Sequence, residues 1–533
     1  MDNEVQVPKN YPGTQTAPAS ASIEGMGTKR SWRAIDASRA SSWGWLPALS
    51  LTSALGLLSI AVADTLSRSA VGQYESLFWA GLLLMMVPIA ARLASSAPTR
   101  RERIGLIILL GLAFYLVKVL HSPYGFTFSD ELVHSYNGTM ILETGKLFNL
   151  NPILAVTPYY PGLETLTAAF SALSGLSIFS AGLVVIGVAR LIAMLSLFLF
   201  FEKVSGSLRL AGIAALLYAT NANFLFWSAQ FSYESLALPL AMWVLYVTVQ
   251  RAATPKGVQH RALTLIALLG ITAVVITHHL TSYFLVVFFG VWTLGLWFLR
   301  FIDSRTTSPT DAHKISPLHG TTKNQRGMTT FTGAGTIAEI AGVALFSTIV
   351  TLVWLIGVAS ITPSYLSPVL SRAVNSILQI LSGVGSTRTL FQSSSGYTAP
   401  LWERAVGIGS VVLMLLAMPF GLHKIWRDFR KNLIAILLTG AGLAFFAMLG
   451  LRLSPEAWET GNRASEFLFI GLAFVMAFTV KEFWRRKRRP GPGRAVVLGS
   501  IAIILMGGVI SGWAPALRLS GPIQVNVGKG TGL

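Results

Sequence analysis

Apolar residues in this chain run in long unbroken blocks; they neither alternate nor recur at every third or fourth position. Blocks of this kind fall at about 43–64, 75–95, 104–121, 181–201, 209–227, 234–250, 261–278, 282–300, 335–358, 405–422, 432–449, 464–481 and 494–512. A helix crosses the hydrocarbon core with about 20 consecutive apolar residues, and in lipid its backbone groups must be satisfied from within. The pattern predicts an all-α polytopic membrane protein with about 13 transmembrane helices. Trp43 and Trp45 suit the interface ahead of the first block. One further stretch, 161–179, is apolar enough for a short helix, and whether it crosses sets the side of every later loop.

Charge decides that question. The clusters Arg92 to Arg103, Lys203/Arg209, Arg251 to Arg261, Arg300 to Arg326, Lys424 to Lys431 and Lys481 to Arg494 alternate with the blocks. With 161–179 not crossing, they all join the amino-terminal tail on one side, which then holds 30 of the 41 Lys and Arg. The positive-inside rule makes that side cytoplasmic and leaves the carboxyl terminus outside. Residues 161–179 become a juxtamembrane helix in a long outer loop, 122–180. Four parts are expected: a disordered cytoplasmic tail (1–42), a front transmembrane block (43–300), a flexible cytoplasmic linker rich in Thr, Ser, Pro and Gly (301–334) and a back block (335–533). The outer loops of the back block are 359–404 and 451–464.

Composition agrees and narrows the function. The chain is 53% hydrophobic and 12% charged, against roughly 25% charged in soluble domains. Its net charge of +19 is spread over short loops, the pattern of topology signals beside anionic lipid. Nucleic-acid binding needs a contiguous basic face, and none is expected. Cysteine is absent, which excludes disulfides and thiolate chemistry.

Chemistry gathers on the outer side. Ser129-Asp130-Glu131-Leu132-Val133-His134 places two acids and a histidine on one short helix where a span surfaces. Titratable groups at a membrane boundary mark function. Glu143 and Lys146 follow, then Glu234 in a second outer turn, His278-His279 in a third, and Arg452 and Arg463 in the last. Asp130, Glu131 and His134 together suit a divalent cation, Mg or Mn. Consecutive helical histidines point about 100° apart, so one of His278 and His279 is expected to face the site. Arg452, Arg463 and Lys146 run against the positive-inside trend and fit phosphate oxygens. Each has an ordinary alternative: acids favour helix starts, and the arginines have Glu456, Glu459 and Glu466 beside them.

The chain resembles the C-type glycosyltransferase superfamily, the protein-mannosyltransferase-like multispan enzymes that take sugar from a polyprenyl-phosphate carrier. The acidic pair Asp130-Glu131, Glu143-Thr144-Gly145-Lys146, and Pro158-Tyr159-Tyr160-Pro161-Gly162-Leu163 carry the resemblance. The last looks like the family's Tyr-Pro-Pro-Leu stretch, with Gly162 in place of the second proline. Gln230-Phe231-Ser232-Tyr233-Glu234 looks like its second acidic turn, and Arg190 matches loosely. The likeness is best over 104–300; the back half matches in architecture only. It implies inversion at the anomeric centre with Asp130 as base and Glu131 as its neighbour or metal ligand.

Transfer from a phosphate carrier needs a base for the acceptor hydroxyl and cations for the leaving phosphate. The expected function is a plasma-membrane glycosyltransferase working on the outer face, with Asp130 and Glu131 catalytic. Lys146, Glu234, His278, His279, Arg452 and Arg463 would bind substrate. Its partners would be a polyprenyl-phosphate-linked sugar, a saccharide, lipid or protein acceptor, and membrane lipid. A transporter or flippase of lipid-linked saccharide is the alternative from another class, though no internal repeat supports it. A polysaccharide polymerase or ligase is a second enzymatic alternative.

Overall fold

The computed structural model describes residues 42–69, 74–306, 334–382, 390–391, 398–485, 492–513 and 518–519. Nearly all of the expected tail, and the linker from 307 to 333, lie outside the described residues. The described residues form an all-α, multi-pass membrane architecture of sixteen α-helices without a strand. Twelve are long and apolar enough to cross a membrane. They are α1 (Leu46–Arg68), α2 (Tyr74–Ala94), α3 (Arg100–His121), α6 (Ile178–Ser205), α8 (Tyr233–Ala252), α9 (Val258–Thr277) and α10 (His279–Thr306), followed by α11 (Ala334–Gly357), α13 (Leu401–Phe429), α14 (Leu433–Leu451), α15 (Trp458–Arg485) and α16 (Pro492–Gly512). The apolar blocks match these helices to within seven residues at either end, because burial in lipid or in the bundle tolerates little else.

Local chemistry sets the ends. Thr99, Ser177, Ser207 and Asn432 each accept a backbone N–H from the first turn of the following helix, satisfying donors the helix leaves over. Gly206, at φ 63°, closes α6 in the left-handed conformation that favours glycine and turns the chain back toward the bundle.

One expected span is replaced by something else. Block 209–227 does not form a continuous helix: α7 (Leu208–Tyr218) stops after 11 residues. The chain then finishes the passage as buried irregular backbone, from Ala219 to the short 3₁₀ turn Trp227–Ala229. Such backbone survives at membrane depth only when protein satisfies it. Here Asn221 Oδ1 accepts the Asn223 N–H at 2.8 Å. The guanidinium of Arg190, buried in α6, donates to the Phe224 carbonyl at 2.6 Å and Ser228 Oγ at 3.0 Å, and lies over the Phe224 ring. A 20-residue window averages over that loss of helix, because the strongly apolar α7 masks Thr220, Asn221 and Asn223 in the irregular part.

Three helices lie at the end of the bundle where the expected outer loops meet. They are α4 (Ser129–Thr144), α5 (Gly162–Ser174) and α12 (Thr362–Leu381). At 13 residues, α5 is too short to cross, as the charge pattern requires. Gly162 opens it against Thr277, whose side-chain oxygen would lie 2.1 Å from any added Cβ. Any residue with a Cβ, proline included, would collide there, which gives a physical reason for glycine at that place. By contrast, α12 was not anticipated; its apolar residues fall on one face, and no 20-residue apolar block marks it.

Candidate functional site

The site begins in the first turn of α4. Glu131 is fully buried and accepts hydrogen bonds from the Thr127 N–H at 3.2 Å and the Phe128 N–H at 3.4 Å, closing the turn that starts the helix. Its other oxygen accepts the Phe231 N–H at 3.2 Å and the Lys118 ammonium from α3. This carboxylate pins α4 to a span and to the irregular segment at once.

Asp130, one residue earlier, points about 100° away around the helix. It is half-buried, and its Oδ2 lies 4.0 Å from Arg463 Nη2 of α15. Arg463 also donates to Glu234 Oε2 at 3.2 Å, in the first turn of α8. One helical turn before it, Glu459 accepts from Arg463 Nε at 3.2 Å and Nη2 at 3.0 Å. A single guanidinium thus joins carboxylates from three helices, 333 positions apart in sequence between Asp130 and Arg463.

Aromatic rings and histidines pack beside this cluster. Tyr233 stacks on His278 with centroids 4.3 Å apart and meets the His134 ring edge-on at 4.4 Å. His279 lies 5.1 Å from the Tyr160 ring and 6.2 Å from that of Tyr365 on α12. The Tyr160 hydroxyl bonds Thr362 Oγ1 at 3.0 Å, fixing α12 as a roof. Several buried polar atoms here have no hydrogen-bond partner within the protein: Glu234 Oε1, His278 Nε2, His279 Nδ1, Gln230 Nε2, Asn223 Oδ1, Glu466 Oε2 and Glu164 Oε2. Buried polar atoms are rarely left so, and a group of them marks a place built for a polar ligand or water. Burial holds the His278 imidazole well below its ordinary value, helped by His279 and the Arg463 charge. It is therefore neutral at pH 7, with Nδ1 on Thr281 Oγ1 at 2.8 Å.

Of the residues expected from sequence, Asp130, Glu234, His278, His279 and Arg463 come together. Both histidines pack against Tyr233, contrary to the helical argument, because α9 ends at Thr277 and His278 adopts an extended conformation before α10 begins. The expected metal set is not assembled. Glu131 is consumed by Lys118 and three backbone donors, and His134 Nδ1 bonds Glu164 Oε1 at 2.6 Å. Only Asp130 of the three keeps a partly exposed side chain, and among the described residues no group of three His, Asp or Glu is placed to hold a metal ion. Arg452, at the end of α14, donates to Asn462 Oδ1 in the second turn of α15. Lys146 is exposed, with no side-chain hydrogen bond or ion pair among the described residues.

Sequence reasoning passed over Glu164, Asn137, Tyr233, Tyr365 and Glu466 as site residues. Glu164 is fully buried and anchors His134 and, at 3.4 Å, Asn137. Glu466 sits one turn past Arg463 on the same helix and feels both Glu234 and Arg190. Its signal was present: an acid inside an apolar span is costly and marks function. No protein-family model and no curated protein matches this chain.

Proposed function

We propose that this protein is a membrane glycosyltransferase that moves a sugar from a polyprenyl-phosphate donor to an acceptor hydroxyl at the membrane face bearing Asp130, the outer face by the charge pattern. The observation that carries the reading is the meeting of Asp130, Glu234 and Arg463 beside buried polar atoms that have no hydrogen-bond partner within the protein. Asp130 is the base: its carboxylate is partly exposed and held by one weak 4.0 Å ion pair. It takes the proton of the acceptor hydroxyl as that oxygen attacks the anomeric carbon. Arg463 supplies positive charge to the departing phosphate oxygens, exchanging carboxylate partners for phosphate. Neutral His278 offers a ring nitrogen to sugar hydroxyls or phosphate, and the His279 ring lies beside it at 4.9 Å. Attack by the acceptor without a protein-bound intermediate inverts the anomeric centre.

The test is direct. Purified protein is incubated with short-chain polyprenyl-phosphate hexoses and pentoses, and glycosylated product is followed by mass spectrometry. Transfer by the wild type, lost in Asp130→Asn at unchanged thermal stability, supports the reading. Near wild-type turnover in Asp130→Asn removes the base role.

A second reading has its own observation. The broken passage from Leu208 to Ser232, with Arg190 buried against it, is the kind of interrupted segment found at transporter binding sites. A flippase of lipid-linked saccharide would move labelled carrier lipid across liposomes and leave the sugar on its carrier. Movement without product would favour it.

A further inference from the structure

A small pocket lies between α4 and α5, apart from the Asp130–Arg463 cluster. Its walls are Asn137 and Ile141 of α4, Phe148 and Asn149 of the following loop, and Pro161 and Glu164 where α5 begins. None of Asp130, Glu234, His278, His279 and Arg463 borders it. The centre of a water-sized group has about 10 Å³ there in which to move, which is room for one small group.

Glu164 is the reason to expect an occupant. Its side chain is fully buried. Oε1 is met by His134 Nδ1 at 2.6 Å and by Asn137 Nδ2 at 3.4 Å. Oε2 has no hydrogen-bond partner within the protein. Among the described residues no Lys or Arg pairs with this carboxylate. A buried carboxylate is costly unless a cation or donors close on both oxygens, and one oxygen here is left open.

The other walls narrow the chemistry. Asn149 Nδ2 donates to Thr144 Oγ1 at 3.2 Å and to the Lys146 carbonyl at 2.8 Å, which leaves its Oδ1 as an acceptor. Asn137 Nδ2 is spent on Thr157 Oγ1 at 3.0 Å and on Glu164, and its Oδ1 takes Asn151 Nδ2 at 2.7 Å. The lining side chains therefore offer free acceptors, one of them a carboxylate, and no free donor. Their complement is a cation that only donates. A primary ammonium is such a group, with three N–H donors and no acceptor. A hard metal ion wants about six oxygens, and Ile141, Phe148 and Pro161 supply none from their side chains. Phe148 holds its wall from a left-handed backbone, φ 62°, a conformation found at ligand clamps. Its ring, 6.1 Å from that of Tyr159, is a surface to which a cation is drawn.

We propose that this pocket takes a primary ammonium group, borne by an ethanolamine lipid headgroup or by a free amine. Its size excludes trimethylammonium.

Isothermal titration of the full chain in neutral detergent tests this, with ethanolamine in one arm and dihexanoylphosphatidylethanolamine in the other. Saturable binding near one ligand per chain is expected in at least one arm, with choline and dihexanoylphosphatidylcholine failing to compete. Tighter binding of the lipid assigns the headgroup; equal or weaker binding assigns the free amine. Glu164→Gln keeps the shape and removes the charge, so affinity should fall about tenfold, the worth of one charge-assisted contact. Phe148→Ala, at an exposed position, should weaken binding about two- to fivefold, and it alone decides should Glu164→Gln fail to fold. No saturation in either arm would mean that water fills the space, and would overturn the assignment. Equal competition by the choline compounds, or wild-type affinity in the deciding variant, would overturn it as well.

Discussion

Asp130 and Glu131 are neighbours in sequence and inhabit opposite kinds of polar region. Around Glu131 every oxygen is met: an ammonium and three backbone N–H groups close on a carboxylate with no exposed surface. Around Asp130 the carboxylate is partly open, its cation is shared with Glu234 and Glu459, and buried atoms nearby are left without partners. The closed region is rigid, since removing either partner strands a buried charge. The open region is chemically available because its charges are divided and incompletely satisfied. A helix turn of 100° per residue is enough to give adjacent acids these separate duties.

The sharpest way to break the comparison is Lys118→Met. It leaves Glu131 charged and buried, a loss of about 3–5 kcal/mol in stability, read as a lowered thermal unfolding midpoint. An unchanged midpoint would mean that Glu131 is not a closed site. Asp130→Asn should instead leave the midpoint within about 0.5 kcal/mol of wild type while cutting transfer by roughly 10²–10⁴-fold, the worth of a general base. Arg463→Lys keeps the charge and loses the fork; turnover should fall about 10–100-fold, equivalent to a charged hydrogen bond of ~1.5–3 kcal/mol.

A pH titration of stability sharpens the same contrast. The folded chain keeps His278 neutral, below its ordinary value of 6.5. Below that pH the unfolded chain binds a proton that the folded chain refuses, so stability falls as pH drops from about 7 to 5, by up to ~1.4 kcal/mol per unit for this group. His278→Gln should flatten the slope by one proton; an unaltered slope would place the uptake elsewhere. The smallest effect belongs to Lys146→Ala. An exposed lysine without side-chain partners among the described residues should change turnover less than about twofold and stability by under ~0.5 kcal/mol, and a larger loss would bring loop 145–150 into the site.

Much of the architecture was legible because lipid is an unforgiving solvent. Spans such as α6 and α14 could be drawn from apolar length alone, and charge placed α5 outside the set of crossings. Where protein takes over from lipid, that legibility fades. The segment after Tyr218 mixes Thr220, Asn221 and Asn223 with apolar residues, and Arg190 and Asn221 satisfy its backbone and let it run irregularly. In α12, the apolar residues are spaced for one face, below the threshold of any window tuned to spans. Within the site, Asp130, Glu234 and Arg463 were each suspect as acids or arginines at a membrane surface. Glu131 drew the same suspicion and turned out to be structural. Its partner Lys118 lies in a span 13 positions back, and nothing local announces the contact.

Hydropathy and charge along the chain determined by themselves that this is a multi-pass helical membrane protein with polar chemistry gathered in its loops, because solvation in lipid acts on each segment separately. Only the tertiary structure decided which polar residues meet. Arg463 finds Asp130 and Glu234 through the packing of three helices, and His278 joins His279 through a break between two others. Such meetings depend on distances and helix rotations that many segments set together, and no single stretch of sequence contains them.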